Sequence, residues 1–255
     1  MADPLTICRR LAEAPEAAWK GIQGRSDLNE RVGMGADGTP TTVADAALDA
    51  AMLDVAEELD ITILSEEAGL VDHGSRWTAV VDPLDGSRNA GRGIPFYCTS
   101  VAVGSGSLLG LEAALVIDLT CGDRYEAERG RGARLNGRPV HKSLFDPREV
   151  LVAVAADYDD PMTVERMQRK HHHIRDLGSA AMEMCLVGTG ALDAFDVRKD
   201  WLRVIDIAAA TLFVREADGI VLDPATGEDL DTPFDLGART GVLAAKDRQA
   251  LEAVL

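Results

Sequence analysis

The chain has 255 residues, 46% of them hydrophobic, enough to bury a large core as one compact domain. Its net charge of −17 would repel nucleic acid and anionic membranes, which are bound through clustered Lys and Arg, so neither is expected as a partner. An anionic substrate is repelled too unless cations intervene, so phosphate chemistry on this chain would require a metal.

No run approaches the roughly eighteen consecutive apolar residues of a membrane span, and the opening MADPLTICRR lacks the basic-then-apolar order of a signal peptide. A cytoplasmic protein is expected. The cysteines Cys8, Cys98, Cys121 and Cys185 show no CxxC spacing and lie in largely apolar stretches, which suits reduced, packed thiols.

In chain order, Asp3-Pro4 opens a first helix as cap and first-turn proline; Ile7, Leu11, Ala14, Ala18 and Ile22 share a face, and Pro15 is expected to kink or split it. A polar, Gly-rich loop follows at residues 24–40, a candidate mobile element. Thr42 and Asp45 then read as a capping box for a helix through Leu59. ITILSEE and WTAVVDP are short apolar runs ending in acids, the pattern of buried strands that deliver carboxylates at their C-terminal ends. YCTSVAVGSG, LEAALVIDL and DRYEAERGRGARLNG predict antiparallel strands with turns at Gly106, Gly122-Asp123 and Asn136-Gly137. After Pro147 strands and helices alternate: strand 149–156, helix 161–169, strand 171–176, helix 179–188, strand 191–197, helix 203–217, strands 219–223 and 241–246, and a last helix. This alternation predicts an α/β layered sandwich, a single domain over 1–255 with two lobes at about 1–145 and 146–255.

The chemistry is concentrated in acids. Magnesium takes hard oxygen ligands, usually a few carboxylates completed by water and phosphate. In Asp82-Pro-Leu-Asp85-Gly-Ser, Pro83 restrains the backbone and Gly86 lets it turn, so two carboxylates at a strand end can face one point. The Leu84 carbonyl would face inward between them, and Ser87 and Arg88 would start a short helix able to receive a phosphate oxygen. Taken alone this is an ordinary turn. Two further acids add weight: Glu66 in Ser65-Glu66-Glu67-Ala68-Gly69, and Asp206 at the start of an otherwise apolar helix, where the plain alternative is a dipole-stabilising residue.

Other signals are weaker. Gly33-x-Gly35-x-x-Gly38 matches the dinucleotide fingerprint, but no apolar strand precedes it. Neighbours in His171-His172-His173 point to opposite faces of a strand and do not converge on a metal. Trp77, Trp201, Met182 and Met184 read as core.

At the acidic blocks the sequence resembles the inositol monophosphatase superfamily, in particular its archaeal-type inositol-1-monophosphatase/fructose-1,6-bisphosphatase members. SEEAG at 65–69, WTAVVDPLDGSRN at 77–89 and LRVIDIAAATLFVREADG at 202–219 carry the match. GADGTPTTVAD at 35–45 and RDLGSAAMEMCLVGTGALDAF at 175–195 are similar to the loop-and-helix entry and the substrate-side segment. Departures are Ala90, Ile205 and Asp218, where the pattern commonly has an aromatic residue, Trp and Gly; none removes a ligand.

The resemblance implies an αβαβα sandwich and a magnesium-dependent phosphatase of inositol 1-phosphate or fructose 1,6-bisphosphate. Relatives acting on 3′-phosphoadenosine phosphates or NADP are the alternative, and a catalytically silent magnesium binder is a remote one. Glu66, Asp82 and the Leu84 carbonyl would hold one ion; Asp82, Asp85 and Asp206 a second. A third, weaker ion would join Glu66 to Asp37 in the loop, giving two or three magnesium ions per subunit, with manganese able to substitute. Asp45, Ser87 and Glu66 would form the catalytic group, Ser87 and Asp45 orienting the attacking water and taking its proton; by itself Asp45 is also simply a capping acid. Substrate contacts would fall on Asp85, Gly86, Ser87, the Gly178-Ser179-Ala180 backbone and Asp196, with Arg175, Arg198 and Lys199 available for a second phosphate or as solvated surface charge. The small phosphorylated substrate would be the partner, on a homodimer.

Overall fold

Helix α1, Pro4–Ile22, begins where Asp3 accepts a hydrogen bond from the Leu5 amide at 3.2 Å, as the cap-and-proline pattern predicts. The computed structural model describes residues 3–155 and 161–255. Contrary to expectation, Pro15 does not split α1. Leu11, Pro15 and Trp19 lie a turn apart on its buried face, and their packing offsets the one main-chain bond a proline forfeits.

The Gly-rich segment is not all loop. Arg31–Met34 (β1) and Pro40–Thr42 (β2) pair as an antiparallel hairpin, and the first strand is exposed along its length, so no alternation betrayed it. The capping box is present: Thr42 and Asp45 exchange side-chain and backbone bonds at the head of α2, Val43–Leu59.

Eight strands then build the first sheet: β3 (Thr62–Ser65), β4 (Gly69–Val71), β5 (Thr78–Asp85), β6 (Cys98–Gly104), β7 (Leu111–Asp118), β8 (Arg124–Glu128), β9 (Gly132–Leu135) and β10 (Arg138–Pro139). Their order is β10-β9-β8-β7-β6-β5-β3-β4, with β3 and β5 parallel and the other neighbours antiparallel. The short helix α3, Ser87–Ala90, follows β5.

The second half alternates as predicted: β11 (Leu151–Ala153), α4 (Pro161–Arg169), β12 (His173–Arg175), α5 (Ala180–Thr189), β13 (Ala194–Leu202), α6 (Val204–Glu216), β14 (Ile220–Leu222), β15 (Thr240–Ala245) and α7 (Arg248–Val254). The far end of the strand expected at 149–156 falls on Ala156, outside the described residues. The second sheet runs β12-β11-β13-β15-β14.

Side-chain alternation assigns the layers. Ala79, Val81, Val101 and Val103 pack under α1 and α2, whereas Val80, Cys98 and Ala102 meet α5 and α6. Those two helices also cover Phe195, Val197 and Val242 of the second sheet, whose other face, with Val152 and Leu243, packs on α4 and α7. The result is an αβαβα sandwich. Its central helices are apolar all round because a sheet lies on either side.

Two residues depart from the expected core. Trp201 is 50% exposed, because β13 continues past Val197 to the molecular edge, and Cys121 is exposed on the turn before β8, unlike the other three thiols. Asp218, where the family pattern has glycine, keeps a φ of +57°. Among the described residues no helix is long and apolar enough to cross a membrane.

Candidate active site

The site begins with an irregularity in β5. Asp82 and Asp85 are three residues apart and would face opposite sides of a regular strand. Opposite them on β6, however, stand Ser100 and Cys98, only two apart, with the register shift between the two acids. This bulge turns both carboxylates toward the α5–α6 layer. Pro83, which has no amide to lose from the ladder, sits in the bulge and accepts a bond from the Thr99 hydroxyl at 2.8 Å. The Leu84 amide donates to Asp82 Oδ1 at 3.0 Å.

Glu66 follows β3, the parallel neighbour of β5, and Asp206 lies in the first turn of α6. The two acids converge on Arg203, a residue that sequence reasoning passed over. Its Nη1 donates to Glu66 Oε1 at 2.6 Å and to Asp37 Oδ2, and its Nη2 donates to Asp206 Oδ1 at 2.8 Å. Its backbone amide donates to Asp206 Oδ2 at 2.6 Å, so Asp206 also caps its helix. The available signal was the spacing: a cation three residues before an acid at a helix start.

The acids perturb one another. Burial, then the charges of Glu66, Asp85 and Asp206, push Asp82 well above the usual carboxylate range. Burial raises Glu66 to about 7 against the pull of Arg203, with Asp206 and Asp37 adding to the rise. Asp85 is raised to about 6, again first by burial, while the Ser179 hydroxyl and the Ala181 amide oppose the shift. Asp37 goes the other way: burial works to raise it, but the Thr39 amide and hydroxyl and Arg203 outweigh that.

Asp85 also joins the two sheets' territories. Its Oδ2 accepts from Ser179 Oγ at 2.7 Å and from the Ala181 amide at 2.8 Å, at the head of α5, next to the half-buried Ala180. Asn89, which sequence reasoning gave no role, spans the same junction, donating to the Phe96 and Leu177 carbonyls at 2.9 and 2.7 Å. Gly178 beside it has a φ of +82°.

The remaining predicted residues are placed as follows. Asp45 Oδ2 takes the amide and hydroxyl of Thr42 at 3.0 and 2.7 Å, and among the described residues no bond links it to Ser87, which is half-buried after Gly86. Asp196 is fully buried away from this bonded network, held by Arg166 at 2.7 Å and Arg198 at 2.5 Å. Arg175 and Lys199 are exposed. The histidines part: His171 has a φ of +59°, His172 Nδ1 lies 3.4 Å from Met167 Sδ, and His173 faces Glu149.

Among the described residues no three His, Cys, Asp or Glu side chains already stand in an arrangement that would hold a metal ion. Arg203 draws Glu66 and Asp206 to itself instead. The donor set still fits magnesium, because Glu66, Asp82, Asp85 and Asp206 are all hard oxygen donors whose mutual repulsion in a buried place calls for positive charge.

The inositol monophosphatase family model matches residues 7–255. The fructose-1,6-bisphosphatase/inositol-1-monophosphatase of Methanothermobacter thermautotrophicus is 35% identical over 98% of this chain and 94% of its own. The bifunctional NADP phosphatase/NAD kinase of Methanococcus maripaludis is 30% identical over 96% of this chain, which spans 47% of that protein. A crystal structure of an inositol monophosphatase-fructose 1,6-bisphosphatase superposes with a TM-score of 0.87 at 29% identity, covering 98% and 97% of the two chains. With its acids presented by a bulged strand and a helix start, and matched almost end to end, this protein is a member of the inositol monophosphatase family of phosphoric monoester hydrolases.

Proposed function

We propose that this chain is a magnesium-dependent phosphomonoesterase acting on inositol 1-phosphate and fructose 1,6-bisphosphate. The observation that carries the reading is the gathering of Glu66, Asp82, Asp85 and Asp206 from three segments, where burial and neighbouring carboxylates raise the proton affinity of Glu66, Asp82 and Asp85. Storing such repulsion is costly, and it serves cation binding. These four side chains and the Leu84 carbonyl would hold the magnesium, for which manganese would serve. When bound, the metal supplies the positive charge that draws a phosphate into an acidic protein and stabilises the charge developing as the P–O bond breaks.

The protein's own groups do the positioning. Ser179 and the Ala181 amide fix one oxygen of Asp85. Thr42 occupies Oδ2 of Asp45, and among the described residues Oδ1 takes no bond, so it is the oxygen to receive the proton of the attacking water. The Ser87 hydroxyl, opening α3, would orient that water. Gly86, Gly178, Ser179 and Ala180 would line the leaving group. Arg175, Lys199 and Arg198, the last held by Asp196, are the cations offered for a second phosphate. By the family resemblance the working form is a homodimer, which sedimentation would check.

A second reading, hydrolysis of NADP or a 3′-phosphoadenosine phosphate, is favoured by the similarity to the NADP phosphatase/NAD kinase. One assay separates the two. Phosphate release is measured from inositol 1-phosphate, fructose 1,6-bisphosphate, 3′-phosphoadenosine 5′-phosphate and NADP, with and without magnesium. Turnover of the first two only with magnesium is expected; turnover of the nucleotides alone would replace the first reading by the second, and metal-independent or absent turnover of all four would end both.

A further inference from the structure

Three segments distant in the chain hang on one side chain. Arg203 binds Asp37 at the tip of the β1–β2 hairpin, Glu66 in the turn after β3, and Asp206 in the first turn of α6. Its side chain is only 17% exposed, and the Asp37 side chain is fully buried although most of its loop neighbours are exposed. The loop is drawn inward at one residue, and that residue is the one Arg203 holds.

The tip is docked by its main chain as well. The Ala36 and Asp37 amides donate to the Glu67 and Glu66 carbonyls at 3.0 and 3.4 Å, and the Thr39 hydroxyl reaches Glu66 Oε1 at 3.3 Å. A Cβ on Gly35 would stand 2.8 Å from Glu67 Oε2 and 3.2 Å from the Glu66 carbonyl, so glycine eases the approach. Thr41 at the hairpin's base also donates to Glu67 Oε2, but none of these bonds offsets the charge of an acid carried toward a site already crowded with acids. The cation that sits between them is Arg203.

We infer that Arg203 is a positioning residue that straps the hairpin to the active site as a resident cation. It holds Asp37 and one oxygen of Glu66, so these two carboxylates do not take a further divalent ion between them. This rests on the metal-binding reading above. A guanidinium suits the task, since its forked donors satisfy three carboxylates at once and it stays charged at any working pH. The wild-type loop is therefore closed before any metal arrives, and its closure does not depend on metal concentration.

The test compares wild type with Arg203→Met, Arg203→Lys and Asp37→Asn in two measurements, amide exchange in metal-free buffer and Mn2+ titration read from the resonance of the free ion. In Arg203→Met the Ala36 and Asp37 amides are expected to exchange about tenfold or more faster than in wild type, while β5–β6 amides stay protected and report an intact fold. That variant is also expected to take up about one more Mn2+ per chain than wild type, because Asp37 and Glu66 are freed as oxygen ligands. Asp37→Asn should show the fast exchange without the extra ion, and Arg203→Lys an intermediate rate; these two carry the exchange measurement if Arg203→Met fails to fold. Equal exchange and equal ion counts in wild type and Arg203→Met would overturn the inference, as would wild type binding the additional ion itself. If no protein binds Mn2+, the metal-dependent reading falls, and the exchange rates alone still decide whether the strap exists.

Discussion

In the proposed function the chemistry turns on Asp82, which is only 3% exposed and is pressed by Glu66, Asp85 and Asp206. Phosphoryl transfer depends on positioning and charge neutralisation, so Asp82→Asn is expected to lower turnover at least about a thousandfold, ~4 kcal/mol of barrier. Circular dichroism in metal-free buffer should show the fold intact; near wild-type turnover would refute the assignment. Glu183, near the head of α5, offers a separate test on stability. Burial raises it to about 8 from a usual 4.5, against a bond from the Leu177 amide and with the charges of Asp176 and Asp85 adding to the rise. Between those two values the folded chain holds a proton that the unfolded chain has released, so stability falls as pH rises and levels off above about 8. The loss amounts to roughly 5 kcal/mol. Glu183→Gln should remove it, and urea denaturation from pH 5 to 9 should show the variant gaining on wild type as pH rises. A constant gap would mean that Glu183 ionises normally.

Among the elements, β5 with its bulge and following turn does most to place the acids. Gly86 ends it with a φ of +86°, and a Cβ there would stand 2.9 Å from the Phe96 carbonyl, which is backbone and has little room to yield. Gly86→Ala is expected to cost about 1–3 kcal/mol of stability and to lower turnover as well, since Asp85 and Ser87 flank it. Thermal melts and kinetics on the same preparation check both; unchanged turnover would mean that the turn does not set the site. This element was legible in the sequence because its peculiarities are spelled by residue type, a proline where no amide is needed and a glycine where the chain turns left-handed. The β1–β2 hairpin was not, because its first strand buries neither face. Pro15 misled for a related reason, since a proline's local cost is visible in the sequence and the packing that offsets it is not.

Across the whole molecule, a net charge of −17 loads the folded state with self-repulsion that salt relieves. The melting temperature is expected to rise from dilute buffer to molar KCl; no rise would show that the repulsion is already offset. We also propose that the lobes at about 1–145 and 146–255 melt together, because one apolar cluster runs from Val80 and Ala102 of the first sheet through α5 and α6 to Val197 and Val242 of the second. Calorimetry should show one transition, and two would separate the lobes. The sequence by itself determined the acids, the turn that presents two of them, the alternation of strand and helix and, through the blocks at 65–69, 77–89 and 202–219, the family. These are local matters of residue type and spacing. Only the tertiary structure decided that Arg203 stands among the acids, that Asp196 is spent on arginines, and that Asn89 and Asp85 tie the two sheets' territories together. Apart from the near neighbours Asp196 with Arg198 and Arg203 with Asp206, these pairings join residues from 30 to 166 positions apart, and which charge finds which is settled by the packing of layers, a long-range property that no short stretch of chain records.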